Sequence, residues 1–236
     1  MRRFILLIIF ISFFTATYSQ IANNWVFGYN IGLNFGNPTP TFFPTAITDR
    51  YCSYASSSDS LPAAQSNSIS DCDGHLLFYT NSKSIWNRNY KLKPNCSVMD
   101  SGFNVLISRD TKILKFIGND SLYYLFYTTG NAGLRYSIVN MNADSGRGNI
   151  ISSHNFINGN FYIGSPELIK HANDTDYWLV SKANANEIYA YLITASGISL
   201  TPVISTAGGF ISNRSPLKAS LSGNYLSYND FRPNGS

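Results

Sequence analysis

Hydrophobic and polar positions along the chain fall into a recurring unit: a β-run, a tight polar turn, and a second β-run rich in aromatic residues. The first copy reads Ser68-Ile69-Ser70, then Asp71-Cys72-Asp73-Gly74, then Leu76 to Thr80. The second runs from Ile113 to Ile117, turns at Gly118-Asn119-Asp120 and resumes from Tyr124 to Thr128. A third runs from Glu167 to Lys170, turns around Asn173-Asp174 and resumes from Tyr177 to Ser181. The fourth runs from Leu217 to Ser220, turns at Ser222-Gly223 and resumes from Tyr225 to Tyr228. Gly, Asn and Asp at the turns tolerate the positive φ of tight hairpins, and the aromatic and β-branched flanks suit strands.

Phe78 to Phe126 spans 48 residues, Tyr177 to Tyr225 again 48, and the middle step, Tyr124 to Tyr177, 53. Each period holds a second hairpin, at Ser84-Ile85-Trp86, at Leu134 to Met141 and at Ile188 to Thr194. Leu134 to Val139 and Ile188 to Leu192 alternate with period two, as half-buried strands do. Two hairpins in about 48 residues make four strands, the arithmetic of a β-propeller blade. A β-sandwich also has many strands and turns, but it requires no four-strand period. The chain is therefore expected to be all-β, a propeller-like fold of about four four-stranded blades. The ring is expected to be incomplete, because the sequence stops at Ser236, soon after the first hairpin of the fourth copy.

Composition narrows the class further. Charged residues make up 13% of the chain, which with 15% aromatics argues against disorder. Glu occurs only at Glu167 and Glu187, and Ser plus Asn account for roughly a quarter of the chain, which argues against a helical bundle. Arg2 and Arg3 precede an apolar run from Phe4 to Ala16 and a small-residue exit, the three parts of a secretory signal peptide over residues 1–19. The run is shorter than the roughly 18 to 20 residues a membrane-spanning helix needs, so no span is expected after cleavage. Cleavage before Gln20 removes two arginines and no acid, lowering a formal charge of +4. The remaining Lys and Arg form no cluster, so no nucleic-acid partner is expected. Residues 20–236 are read as the propeller-like domain, truncated at its C-terminus. In an exported chain Cys52, Cys72 and Cys96 allow three single disulfide pairings, and they lack metal-ligand spacing. Asn95, Asn119, Asn173 and Asn213 stand in glycosylation sequons, which matter only in a host that uses them.

Several stretches form an ordered set: Asn23 to Gly28, Gly32 to Phe35, Ile69 to Asn81, Ile85 to Asn89, Leu134 to Ser137, Gly146-Arg147-Gly148, Lys170 to Asn173 and Asp176 to Trp178. Together, over roughly Asn23 to Tyr228, the set resembles the N-terminal propeller-like region of large secreted surface proteins. Those proteins belong to gliding bacteria that use type IX secretion, and they carry a type B sorting domain. The resemblance implies export, a surface or extracellular location, and a non-catalytic role in adhesion. Full-length members continue through more blades to the sorting domain, so this chain is expected to be a fragment or a short periplasmic member. Cys72 departs from the polar residue expected at its turn.

Candidate chemistry is sparse. Asp71 and Asp73, with Asn173 to Asp176 second, alternate acids as a Ca²⁺ loop would, yet supply too few ligands, and a hairpin turn, which uses these residues anyway, is the preferred reading. No cofactor is therefore expected. His171 beside Lys170 reads as a base or, more simply, as a turn residue. Trp25, Trp86 and Trp178 offer aromatic platforms, with packing between blades the preferred reading for Trp86 and Trp178. Asn87-Arg88-Asn89 has no apolar role and suits either a surface site or a turn. Trp86, Asn87, Arg88, Asn89, Asp71, Asp73 and His171 are thus the candidate binding residues, for a protein or polysaccharide at the cell surface. No catalytic motif of the G-x-S-x-G type occurs. The expected function is a non-enzymatic interaction module, and the alternative is an exported carbohydrate-active or other hydrolase on the same fold.

Overall fold

The computed structural model describes residues 22–27, 30–46, 66–81, 84–91, 111–129, 133–159, 165–183, 186–207 and 217–228. Residues 1–19 (expected to form a signal peptide), Cys52 and Cys96 lie outside these residues, and with them the disulfide pairings. Cys72 is exposed and unbridged. Among the described residues no helix is long and apolar enough to cross a membrane.

The fold is all-β: strands take up 55% of the described residues, in five small antiparallel sheets, none of them closed. Sheet I holds β1 (Asn24–Phe27), β2 (Ile31–Asn34) and β3 (Thr41–Phe43). Sheet II holds β4 (Asn67–Ser70), β5 (Leu76–Thr80) and β6 (Ile85–Asn87). Sheet III is formed by β7 (Lys112–Lys115), β8 (Leu122–Thr129), β9 (Gly133–Asn140) and β10 (Asn149–Asn158). Sheet IV contains β11 (Glu167–Lys170), β12 (Tyr177–Lys182), β13 (Glu187–Thr194), β14 (Gly197–Ile198) and β15 (Val203–Thr206). Sheet V is the pair β16 (Lys218–Ala219) and β17 (Leu226–Ser227).

All four hairpins of the repeat are present, but among the described residues only sheet III is a simple ladder of the four strands that the period implies. In sheet IV the fourth position is split. β14 pairs with Ile193 and Thr194 at one end of β13, and β15 pairs with Glu187 to Ala190 at the other. Pro202 lies between the two segments and offers no N–H to a ladder, which breaks the edge strand there.

The sheets stack in chain order through aromatic clusters. Val26 of sheet I meets Tyr79 and Trp86 of sheet II. Ile69, Phe78 and Ile85 of sheet II meet Tyr123, Leu125, Tyr127, Val139 and Ile150 of sheet III. On its opposite face sheet III presents Leu114, Tyr124, Phe126, Leu134 and Ile157 to Leu179, Tyr191 and Ile193 of sheet IV. Strand alternation explains both faces: odd residues of β8 point to sheet II and even ones to sheet IV. Every side chain from Tyr123 to Thr128 is buried, so β8 reads as one continuous apolar run rather than an alternating one.

The first strands of successive sheets also adjoin, and there the links are polar. The Asn24 amide donates to Ser70 Oγ at 2.8 Å, and the Ser68 hydroxyl donates to the Asn24 carbonyl. The Asn67 amide donates to the Thr111 carbonyl at 2.7 Å, beside β7. Glu167 on β11 then faces Lys112 of β7 at 3.4 Å and Lys218 of β16 at 3.6 Å, both through a buried Oε2 that accepts no hydrogen bond.

Between β9 and β10 the chain turns through Ala143–Gly146, where Asp144 (φ 52°, ψ 47°), Ser145 (φ 56°, ψ 41°) and Gly146 (φ 79°) are left-handed in succession. That conformation costs roughly 1–2 kcal/mol for each L-residue with a side chain. Arg147 offsets it by donating to the Asp144 carboxylate at 2.8 Å and to the Asp144 carbonyl at 3.1 Å.

Two substitutions test this packing. Gly133 has φ 78°, and a Cβ there would lie 1.8 Å from the Asn158 carbonyl oxygen. Gly133→Ala is expected to destabilise the fold by roughly 2–4 kcal/mol in denaturant melts, because neither the backbone conformation nor the neighbouring strand accommodates it. Glu167→Gln removes the carboxylate shared by two lysines and is expected to cost about 1 kcal/mol at low salt, a difference that shrinks in high salt.

Candidate functional site

The candidate residues on the first-hairpin turns share one backbone pattern. At Asp71, Phe116, His171 and Ser220 the carbonyl accepts the N–H three residues on, from Gly74, Asn119, Asp174 and Gly223. In three of the four, the same residue's side chain closes the turn. Asp71 Oδ1 accepts from the N–H groups of Asp73 and His75 at 3.0 and 2.8 Å. His171 Nδ1 accepts from Asn173 N–H at 3.1 Å, and Ser220 Oγ accepts from Tyr225 N–H, also at 3.1 Å. Phe116 has no acceptor, and Asn119 Oδ1 takes the Ser121 N–H instead. Asp71 and His171 therefore hold turns. His171 also leans on Trp178, with ring centroids 5.5 Å apart.

Asn87 is a turn residue of the same kind. It is buried, and its Oδ1 accepts from the N–H groups of Asn89 and Lys91 at 2.9 and 3.1 Å. Trp86 is buried too, stacked on Tyr79 with centroids 5.5 Å apart and planes 11° off parallel. Its ring packs sheet I on sheet II and forms no exposed platform. The turn that Asn87 closes leaves Arg88, Asn89 and Tyr90 exposed, with Tyr90 left-handed at φ 60°.

Those exposed residues line a cleft of about 520 Å³ between sheets I and II. Asn24, Asn34, Thr41 and Phe43 form the wall from sheet I, and Gly74, His75, Leu76, Arg88, Asn89 and Tyr90 form the wall from sheet II. The amides are held in place: Asn34 donates to Asn24 Oδ1 at 2.8 Å, and Asn24 donates to the Gly74 carbonyl at 2.8 Å. Phe43 reaches the cleft floor because Gly32 beneath it has no side chain; a Cβ there would lie 2.3 Å from the ring. The cleft thus brings the Asp71 turn and the Arg88-Asn89 turn together, while His171 belongs to sheet IV, outside it.

Asp71, Asp73 and His75 offer three ligand atoms within 4.8 Å of one another. Asp71 is already committed, with Oδ1 on two backbone N–H groups and Oδ2 facing His75 Nδ1 at 3.3 Å. Two carboxylates and an imidazole are not the set of six or more oxygens that Ca²⁺ takes. Sequence reasoning missed Asn24, Asn34, Phe43 and His75. The Asn24–Ser70 contact joins residues 46 apart, and no local pattern announces such a pair.

A second niche lies between sheets III and IV, lined by Thr128, Leu134, Asn158, Lys182 and Tyr191. Burial pulls the Lys182 ammonium down from 10.5 to about 8. Asn158 donates to the Tyr191 hydroxyl at 2.6 Å, and burial raises the Tyr191 phenol. Burial likewise raises Tyr79, Tyr123 and Tyr127, and takes Tyr124 to about 12.

No family model matches the chain, and neither the curated proteins nor the solved structures provide a match.

These shifts lead to an expected alkaline stability profile. Between about pH 8 and 10 the unfolded chain binds more protons than the folded one through Lys182, so stability rises with pH. Above about pH 10 the buried tyrosines reverse the sign, because the folded chain holds phenol protons that the unfolded chain loses. Denaturant titrations across this range are expected to show a maximum, and Lys182→Met to remove the rise while keeping the fall.

Proposed function

We propose that this protein is a secreted or cell-surface interaction module without catalytic activity, a β-propeller-like fold that binds polysaccharide in the cleft between its first two sheets. The observation that carries the reading is the lining of that cleft. The exposed Arg88, Asn89 and His75 and the rings of Phe43 and Tyr90 surround one opening, braced by the hydrogen-bonded amides of Asn24 and Asn34. Amides and guanidinium groups suit vicinal hydroxyls, and aromatic faces suit the apolar side of a sugar ring.

Three further features support it. The sheets stack in chain order with their first strands side by side, as blades do around an axis. Residues 1–19 read as an export signal. The ordered resemblance to type IX-secreted surface proteins supports a place outside the cell, or in the periplasm if no sorting domain follows.

The test is a glycan array probed with the full chain, followed by titration of the best polysaccharide. Arg88→Ala and His75→Ala are expected to weaken binding at least about tenfold, with an unchanged melting temperature, since both side chains are exposed. Retention that survives both substitutions, or release of new reducing ends from the bound glycan, would overturn the reading; the second result would establish a hydrolase.

A further inference from the structure

The outward face of sheet I is aromatic and carries no charge. Register places Trp25 opposite Leu33 and Leu33 opposite Phe42, with Phe27 opposite Ile31 on the same side. The other side, with Val26 and Phe43, meets sheet II. Trp25 is 53% exposed, Phe42 73%, and Phe27, Ile31 and Phe35 about 40% each. Between Gln20 and Thr48 there is no Asp, Glu, Lys or Arg.

We infer that this face pairs with the same face of a second copy of the chain. Three observations select that occupant. First, the face has the composition of the junctions the molecule buries between its own sheets, where aromatic and branched side chains interlock. Second, the rings are not coplanar: Trp25 lies at 51° to Phe27 and 57° to Phe35. Tilted rings interdigitate with another side-chain surface and do not make a flat platform for a sugar chain. Third, a two-fold pairing sets a surface against itself, and a neutral surface meets no like-charge repulsion there.

The area suffices. At roughly 200 Å² per aromatic side chain, the four exposed rings present about 400 Å² of apolar surface in each copy. Two copies remove about 800 Å² through the rings alone, and Ile31, Leu33 and the adjoining backbone carry the total past the roughly 1,000 Å² of a specific interface. The pairing does not depend on the cleft, which opens on the other side of the sheet.

Sedimentation velocity of the full chain over a concentration series provides the test, with near-UV circular dichroism to confirm the fold of each variant. The wild type is expected to form a reversible dimer that is insensitive to salt. Phe42→Asp and Phe35→Ser are each expected to raise the dimer dissociation constant at least about tenfold, so that one variant failing to fold leaves the other to decide. Leu200→Asp, on an exposed loop of sheet IV, is expected to leave the dimer intact. A monomer at every concentration would overturn the inference. So would dissociation caused by Leu200→Asp with Phe42→Asp still dimeric, or a monomer that binds neutral polysaccharide through Trp25. Glycan binding at Arg88 is read separately and is unaffected in either case.

Discussion

The two-sided burial of β8 is the constraint on which the rest of the molecule depends. A strand that hides Tyr123, Leu125 and Tyr127 on one face and Tyr124 and Phe126 on the other must have a sheet on each side. Neither neighbour can be removed without exposing large rings, each of which is worth several kcal/mol of burial on the order of 25 cal/mol per Å². Sheets II and IV are thereby fixed in place, and sheet II in turn presents Tyr79 and Trp86 to sheet I.

Aromatic faces alone would let sheets slide, because hydrophobic burial has no direction. The polar links between first strands supply the direction. Asn24 with Ser70, Asn67 with Thr111, and Glu167 with its two lysines each act at one register and one height. The edge formed by the first strands is therefore where polar atoms are buried and specific, and the cleft opens beside the first of these links. Its amides are rigid because they already serve the fold.

Much of the fold was legible in the sequence, for a physical reason. Hairpins are local, so Asp71 to Gly74 or Asn173-Asp174 between two aromatic runs declares a turn with no knowledge of the rest. The site was legible only in fragments. Asp71 and Arg88-Asn89 stood out as polar residues in turns, but Asp71 and Asn87 proved to be closing those turns. Trp86 is interior, in line with the packing reading preferred for it from the sequence. What joins the fragments is the approach of β1 to β4 across more than 40 residues of chain, and periodicity carries no signal of such a meeting. The broken fourth strand of sheet IV was equally hidden, because two short segments sharing one edge look like a loop.

Stacking in chain order has a consequence for how the molecule holds and loses its structure. Each sheet leans on the sheets next to it in sequence, so stability is built from nearest-neighbour junctions, as in a solenoid rather than a sphere. Sheet III, with a neighbour on each face, sits at the centre of this series, and sheets I and V sit at its ends. Opening should begin at those ends and move inward, one junction at a time, with the β8 amides exchanging last. The same arrangement lets a sheet be gained or lost at an end without repacking the others, so the number of sheets is the least constrained property of this architecture.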